Sequence, residues 1–126
     1  MRLTLLALLL ATGATASDRN RVPPATPTGP AVSCVGLAQI RETRVRDDRT
    51  IDFILRGGRV YRNTLPRSCP DLGFEERFAY ATSLSQLCSV DIITVLRSPD
   101  LGRGASCGLG KFQPVTLTKP QRAGPR

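Results

Sequence analysis

A chain of 126 residues carrying 18 Lys plus Arg against 10 Asp plus Glu has room for one basic domain. It contains no His and no Trp. Without His, the commonest general base and the commonest zinc partner are missing, which excludes Ser-His-Asp and Cys-His catalysis and every zinc site that uses His.

Arg2 is followed by an apolar run, Leu3 to Ala11, and then by Ala14-Thr15-Ala16. A positive start, a short apolar stretch and an A-x-A site are the parts of a secretory signal peptide, so residues 1–16 are expected to be one. The run is much shorter than the roughly 20 residues that cross a bilayer, which argues against a transmembrane anchor. Residues 17–33 hold four prolines and little to bury, and are expected to be a disordered Pro-rich linker. The folded domain is placed at 34–117, and 118–126 is expected to be a disordered basic tail.

A core this small commonly needs covalent help. Cys34, Cys69, Cys88 and Cys107 are even in number, contain no C-x-x-C pair, and come after an export signal, so two structural disulfides are expected. Three pairings are possible. The nested one, Cys34–Cys107 with Cys69–Cys88, is favoured because it ties the first structured segment to the last and staples the Pro66–Pro70 loop to the strands after it.

Along the domain, a turn or bulge after Cys34 leads to a strand at 40–46, and Asp47-Asp48-Arg49 reads as a turn. Ile51, Phe53 and Leu55 alternate with Asp52, Ile54 and Arg56, the pattern of a half-buried strand. Gly57-Gly58 then joins it to a second alternating run, Val60 to Leu65, which predicts a hairpin with a two-residue turn. Pro66 and Pro70 bracket a loop around Cys69, and Phe74 to Arg77 fits one helical turn before a strand at 77–82. Leu87 to Leu96 is near-continuously apolar and predicts one central strand buried on both faces. A loop at 99–104 and a last strand from Cys107 complete the chain. The expected fold is mainly β, a small antiparallel barrel or sandwich of about six short strands with two disulfides.

Ile40-Arg-x-Thr-Arg-Val45, Asp47-Asp-Arg-Thr-Ile51, Val60-Tyr-Arg-Asn-Thr-Leu65, Cys69-Pro-x-Leu72 and Leu87-Cys-x-x-Asp91 occur in this order. As a set they resemble a family of small secreted bacterial proteins, over roughly residues 34–112. The resemblance implies export, to the periplasm of a Gram-negative bacterium, and brings no catalytic residue or cofactor with it.

Candidate chemistry is sparse. Asp47-Asp48 reads as a backbone-capping turn and Glu75-Glu76 as a solvated stretch. Asp91, inside the apolar run, is the candidate for a buried ion pair with an Arg of a neighbouring strand. No serine nucleophile has a base at Ser-x-x-Lys spacing, and no Gly-rich segment ends in G-K-[ST]. The expectation is a non-enzymatic envelope protein, with neither cofactor nor metal, that binds a periplasmic protein partner through loops 66–73 and 97–106. Sixteen of the 18 basic residues are Arg, eight of them between Arg41 and Arg67. The alternative is therefore an anionic envelope polymer held on a sheet face by Arg41, Arg44, Arg56, Arg59 and Arg62. A GC-rich genome, which favours Arg over Lys, would give the same composition with no ligand. Only Tyr61 and Tyr80 are available among Tyr and Trp to stack on bases, which argues against nucleic acid.

Overall fold

A computed structural model describes residues 22–82 and 84–118. The expected signal peptide, the first residues of the linker and the tail from Lys119 onward lie outside the described residues. The fold is mainly β. Three antiparallel sheets pack on one core without closing into a barrel.

The alternating runs form the largest sheet. Its strands β3 (Ile40–Val45), β4 (Thr50–Leu55) and β5 (Val60–Thr64) make a meander, continued by β10 (Phe112–Leu117) and β1 (Ala25–Pro27) in the order β1-β10-β5-β4-β3. Ile51, Phe53 and Leu55 of β4 point inward and are buried. The β4–β5 hairpin uses Gly57 and Gly58 at φ +85° and +83°, values that L side chains rarely adopt. Its loop is three residues long rather than the expected two. The Leu55 carbonyl accepts the Gly58 N–H at 3.0 Å, and the Leu55 N–H donates to the Arg59 carbonyl at 2.8 Å.

The Pro-rich segment expected to be a disordered linker is in part a sheet edge. Ala25–Pro27 pairs with Leu117–Val115, the Thr28 N–H donates to the Pro114 carbonyl at 3.0 Å, and Val32 bridges to Phe112. An edge strand needs few donors of its own, so proline is tolerated there.

A two-stranded sheet, β2 (Cys34–Gly36) with β7 (Gln86–Cys88), and a three-stranded one, β6 (Phe78–Tyr80), β8 (Ile92–Arg97) and β9 (Gly102–Gly108), cover the core. A 3-10 turn at Leu37–Gln39 follows β2, and a single helical turn, α1 (Leu72–Glu75), precedes β6. Val35, Leu87, Ile93 and Val95 meet the inner face of the large sheet, where the Phe53 ring sits edge-on to Phe112 and Phe78 at centroid distances of 5.2 and 6.4 Å.

The single strand expected over 87–96 is two strands. Ser89-Val90-Asp91 turns the chain from the two-stranded sheet into the three-stranded one, with the Asp91 N–H bonded to the Cys88 carbonyl at 2.9 Å. A long apolar run here marks a chain that is core-facing in two successive sheets, not one strand buried on both sides. Likewise the expected 99–104 loop shrinks to a turn, because Gly102 to Ala105 already belong to β9.

Both disulfides form, with the favoured pairing corrected: Cys34 bonds Cys88 and Cys69 bonds Cys107. The register explains the pairing. β2 runs antiparallel to β7 with Cys34 directly opposite Cys88, and Cys107 stands opposite inward-facing Ile93, within reach of the 66–73 loop. With no free cysteine, the folded chain fits an oxidising, exported environment. Among the described residues no helix is long and apolar enough to cross a membrane.

Candidate interaction surface

The two loops expected to carry function come together at one end of the molecule. The 66–73 loop is held from below by the Asp47–Arg49 turn. The Asp48 carbonyl accepts the Cys69 N–H and its carboxylate accepts the Gly73 N–H, both at 2.7 Å. The Arg49 guanidinium donates to the carbonyls of Leu65 and Pro66 at 2.7 and 3.2 Å. Asp47 caps the Arg49 N–H at 2.9 Å, so the paired acids work as a turn, and Asp48 also anchors the loop above it.

From the other side the Cys69–Cys107 bond ties this loop to β9. α1 then meets the 98–101 turn: the Ser98 N–H donates to the Glu75 carboxylate at 2.9 Å, and Asp71 and Arg97 approach to 3.7 Å. Next to this junction, Phe74 is 83% exposed and Leu101 52% exposed. A cleft of about 450 Å³ separates Pro66, Arg67, Ser68 and Pro70 from Ala105, Ser106 and Gly108.

The backbone marks the same place. Among the described residues the non-glycine positions with positive φ are Asp71, Glu76 and Leu101, at 68°, 55° and 57°; Asp71 and Leu101 lie in these loops and Glu76 just after α1. A bulky side chain in that region costs about 1–2 kcal/mol and persists only where the surroundings enforce it, which is commonest at functional sites.

Of the candidate anion-binding arginines, Arg44 and Arg62 share a face of the large sheet, both opposite Asp52, but neither is free there. Arg62 is consumed by structure: its guanidinium donates to the Asp52 carboxylate at 2.8 and 3.0 Å and to the Pro23 carbonyl at 2.9 Å. Arg44 is ion-paired with Glu42. Arg41 and Arg56 border a shallow groove with Ile40 and Gly57, while Arg59 lines a different one beside Tyr61 and Pro114. Arg41, Arg56 and Arg59 form no ion pair among the described residues.

Asp91, the expected buried ion pair, forms no ion pair among the described residues. It is half-buried, and its carboxylate accepts the Cys88 N–H at 2.7 Å within its own turn. The buried acid is Asp52, which is fully buried and bonded by Arg46 at 2.9 Å as well as by Arg62. Sequence reasoning placed Asp52 on the solvated side of β4. The overlooked signal is that an outward-facing acid can be sealed by two long arginines from flanking strands and by the Pro-rich segment above them. Asn63 was missed too. It is fully buried, and its amide bonds both the N–H and the carbonyl of Gly110, at 2.8 and 2.7 Å, fixing the entry to β10.

Comparison of the chain with family models, with curated proteins and with solved structures gives no match.

Proposed function

We propose that this is an exported, non-enzymatic binding domain of the bacterial periplasm, of the small secreted kind its motifs resemble, and that it engages a protein partner through the stapled end formed by residues 66–76 and 97–101. The observation that carries this reading is the exposure of Phe74 and Leu101 on a backbone fixed by a disulfide, by Asp48 and by the Glu75–Ser98 contact. Rigid, exposed apolar side chains bind at little entropic cost, and aromatic anchors commonly dominate interfaces. Residues 66–76 and 97–101 carry Asp71, Glu75, Glu76 and Asp100 against Arg67 and Arg97. A basic protein thus presents a locally acidic end, which suits a partner with an apolar pocket rimmed by Lys or Arg.

The test is capture from envelope extract on the immobilised exported protein, eluted with rising salt. The reading predicts one stoichiometric protein that survives about 0.5 M salt, where surface charge contacts are largely screened. Phe74→Ser with Leu101→Ser should abolish that capture. Equal capture by the double variant would refute the assignment of this surface.

The anion-binding reading retains one supporting observation, the three arginines around the β4–β5 hairpin that form no ion pair among the described residues. It predicts a heterogeneous anionic polymer released at moderate salt, with a salt dependence flattened by Arg41→Gln, Arg56→Gln and Arg59→Gln. Arg62 is unsuitable for that test because its loss would expose the Asp52 cluster.

A further inference from the structure

The outer face of the three-stranded sheet is a second apolar surface, separate from the Phe74–Leu101 end. Because Ile93 and Val95 are buried in the core, Ile92, Thr94 and Leu96 alternate outward from β8. Ile92 is 58% exposed. Val90, 86% exposed, extends the row past the start of the strand, and Ala79, opposite Thr94, continues the face onto β6. At the centre the Thr94 and Ser106 hydroxyls bond each other at 3.1 Å. Gly108 stands opposite Ile92, and a side chain started there would meet nothing within 4 Å. That leaves open surface beside a protruding isoleucine.

The charges on this face are also paired across it. Asp91 immediately precedes β8, and Arg103 lies at the other end, opposite Leu96 in the register. The two positions are about 17 Å apart along β8, five residues at roughly 3.3 Å each. Arg103 is exposed and forms no ion pair among the described residues, and one Asp91 oxygen is not used by the Cys88 N–H.

We infer that a second copy of this chain covers this face, in an isologous dimer whose two-fold axis lies in the interface, perpendicular to β8 and near Thr94. That axis sets β8 antiparallel to its copy. It brings Asp91 of one copy to Arg103 of the other twice over, and lays each Ile92 over Leu96 of the other copy. An axis parallel to β8 would instead set Asp91 against Asp91 and Arg103 against Arg103, so charge selects one of the two face-to-face arrangements. The face is about 20 Å along β8 and three strands wide, at about 4.8 Å per strand. This is less than the roughly 800 Å² per partner of a standard interface, so the dimer is weak and forms at about 10 μM to 1 mM protein.

The deciding experiment is sedimentation equilibrium of the exported, disulfide-bonded protein across that concentration range. Wild type should show a monomer–dimer equilibrium. Asp91→Arg and Arg103→Asp, each placing like charges in both rim contacts, should weaken association at least ~10-fold. The double exchange, Asp91→Arg with Arg103→Asp, should restore it. Because Asp91 also holds the Cys88 N–H, Ile92→Arg serves as a second disrupting change at an exposed position with no such duty. Three results would overturn the inference: a wild-type monomer up to about 1 mM, a dimer that Ile92→Arg and Arg103→Asp leave intact, or a natively folded double exchange that stays as weak as its parents.

Discussion

Asp52→Asn changes one oxygen for an NH₂ group in the middle of β4, yet it should be among the most damaging conservative substitutions in the chain. The carboxylate is fully buried and accepts three charge-assisted hydrogen bonds, one from Arg46 and two from Arg62. With the charge removed, two guanidinium groups face each other on adjacent registers with nothing to neutralise them. Breaking a buried ion pair on one side costs about 3–5 kcal/mol. The arginine side chains are 16% and 14% exposed, so their outer edges reach water and lower the cost to about 2–4 kcal/mol. For a domain of this size each kcal/mol moves the melting temperature by about 4–8 °C, so a drop of about 10–25 °C is expected. Thermal and urea unfolding of the oxidised protein, followed by far-UV circular dichroism, would measure it. A companion variant sharpens the test: Arg46→Met, Asp52→Leu and Arg62→Met together remove the whole ionic group and should lie closer to wild type than the single change. A shift under about 4 °C for Asp52→Asn, or a triple variant worse than it, would refute the uncompensated-charge reasoning.

Single contacts give the other expected outcomes. Gly110→Ala would put a methyl 2.2 Å from the Thr64 carbonyl oxygen, so β10 must move and release the Asn63 clamp; a loss of about 2–4 kcal/mol in urea unfolding is expected. A non-reducing digest should yield the Cys34–Cys88 and Cys69–Cys107 peptides, and a Cys34–Cys107 peptide would contradict the register of β2 on β7. Removing either bridge should cost about 4 kcal/mol by loop-closure entropy, for separations of 54 and 38 residues. Only loss of Cys69–Cys107 should also abolish partner capture. Leu101→Gly relieves a positive φ and should raise stability by about 0.5–1 kcal/mol while lowering capture, whereas a destabilised variant would show that Leu101 packs rather than presents.

The elements that local physics decides were legible in the sequence. The alternation through Ile51, Phe53 and Leu55, the glycine pair at 57–58 and the single helical turn before Phe78 each need only neighbouring residues, and each appears, though the helical turn lies at Leu72–Glu75, two residues earlier than expected, and the hairpin loop is one residue longer. What was not legible depends on contacts distant in sequence. The 87–96 run looks like one strand because periodicity cannot show that Val90 is a corner between two sheets. The cysteine pairing requires knowing that β2 lies on β7, 54 residues away, and the three residues of β2 carry too weak a pattern to reveal it. Prolines and a cysteine mark the loop end in the sequence. Its exposed Phe74 and its left-handed Asp71, Glu76 and Leu101 emerge only from the backbone.

The arginine excess has a reading that neither a ligand nor genome composition supplies. Arg49 donates to the carbonyls of Leu65 and Pro66, Arg62 to the carbonyl of Pro23, and Arg46 and Arg62 together seal Asp52. In each case a rigid fork of donors closes oxygens that the strand ladders do not bond, carbonyls beyond the strand ends for Arg49 and Arg62 and a carboxylate in the middle of β4 for Arg46 and Arg62. Lysine, whose three donors sit on one mobile and strongly hydrated nitrogen, lacks the fixed planar fork that spans two such oxygens. A sheet built from strands of three to seven residues has many ends for its size, and so many carbonyls to satisfy. Composition alone could not separate these roles from ligand binding, because an arginine that mends a sheet and one that grips a phosphate have the same chemistry. The partners separate them, and by that measure the candidates left for an anion are Arg41, Arg56 and Arg59 rather than all five arginines that the composition suggested.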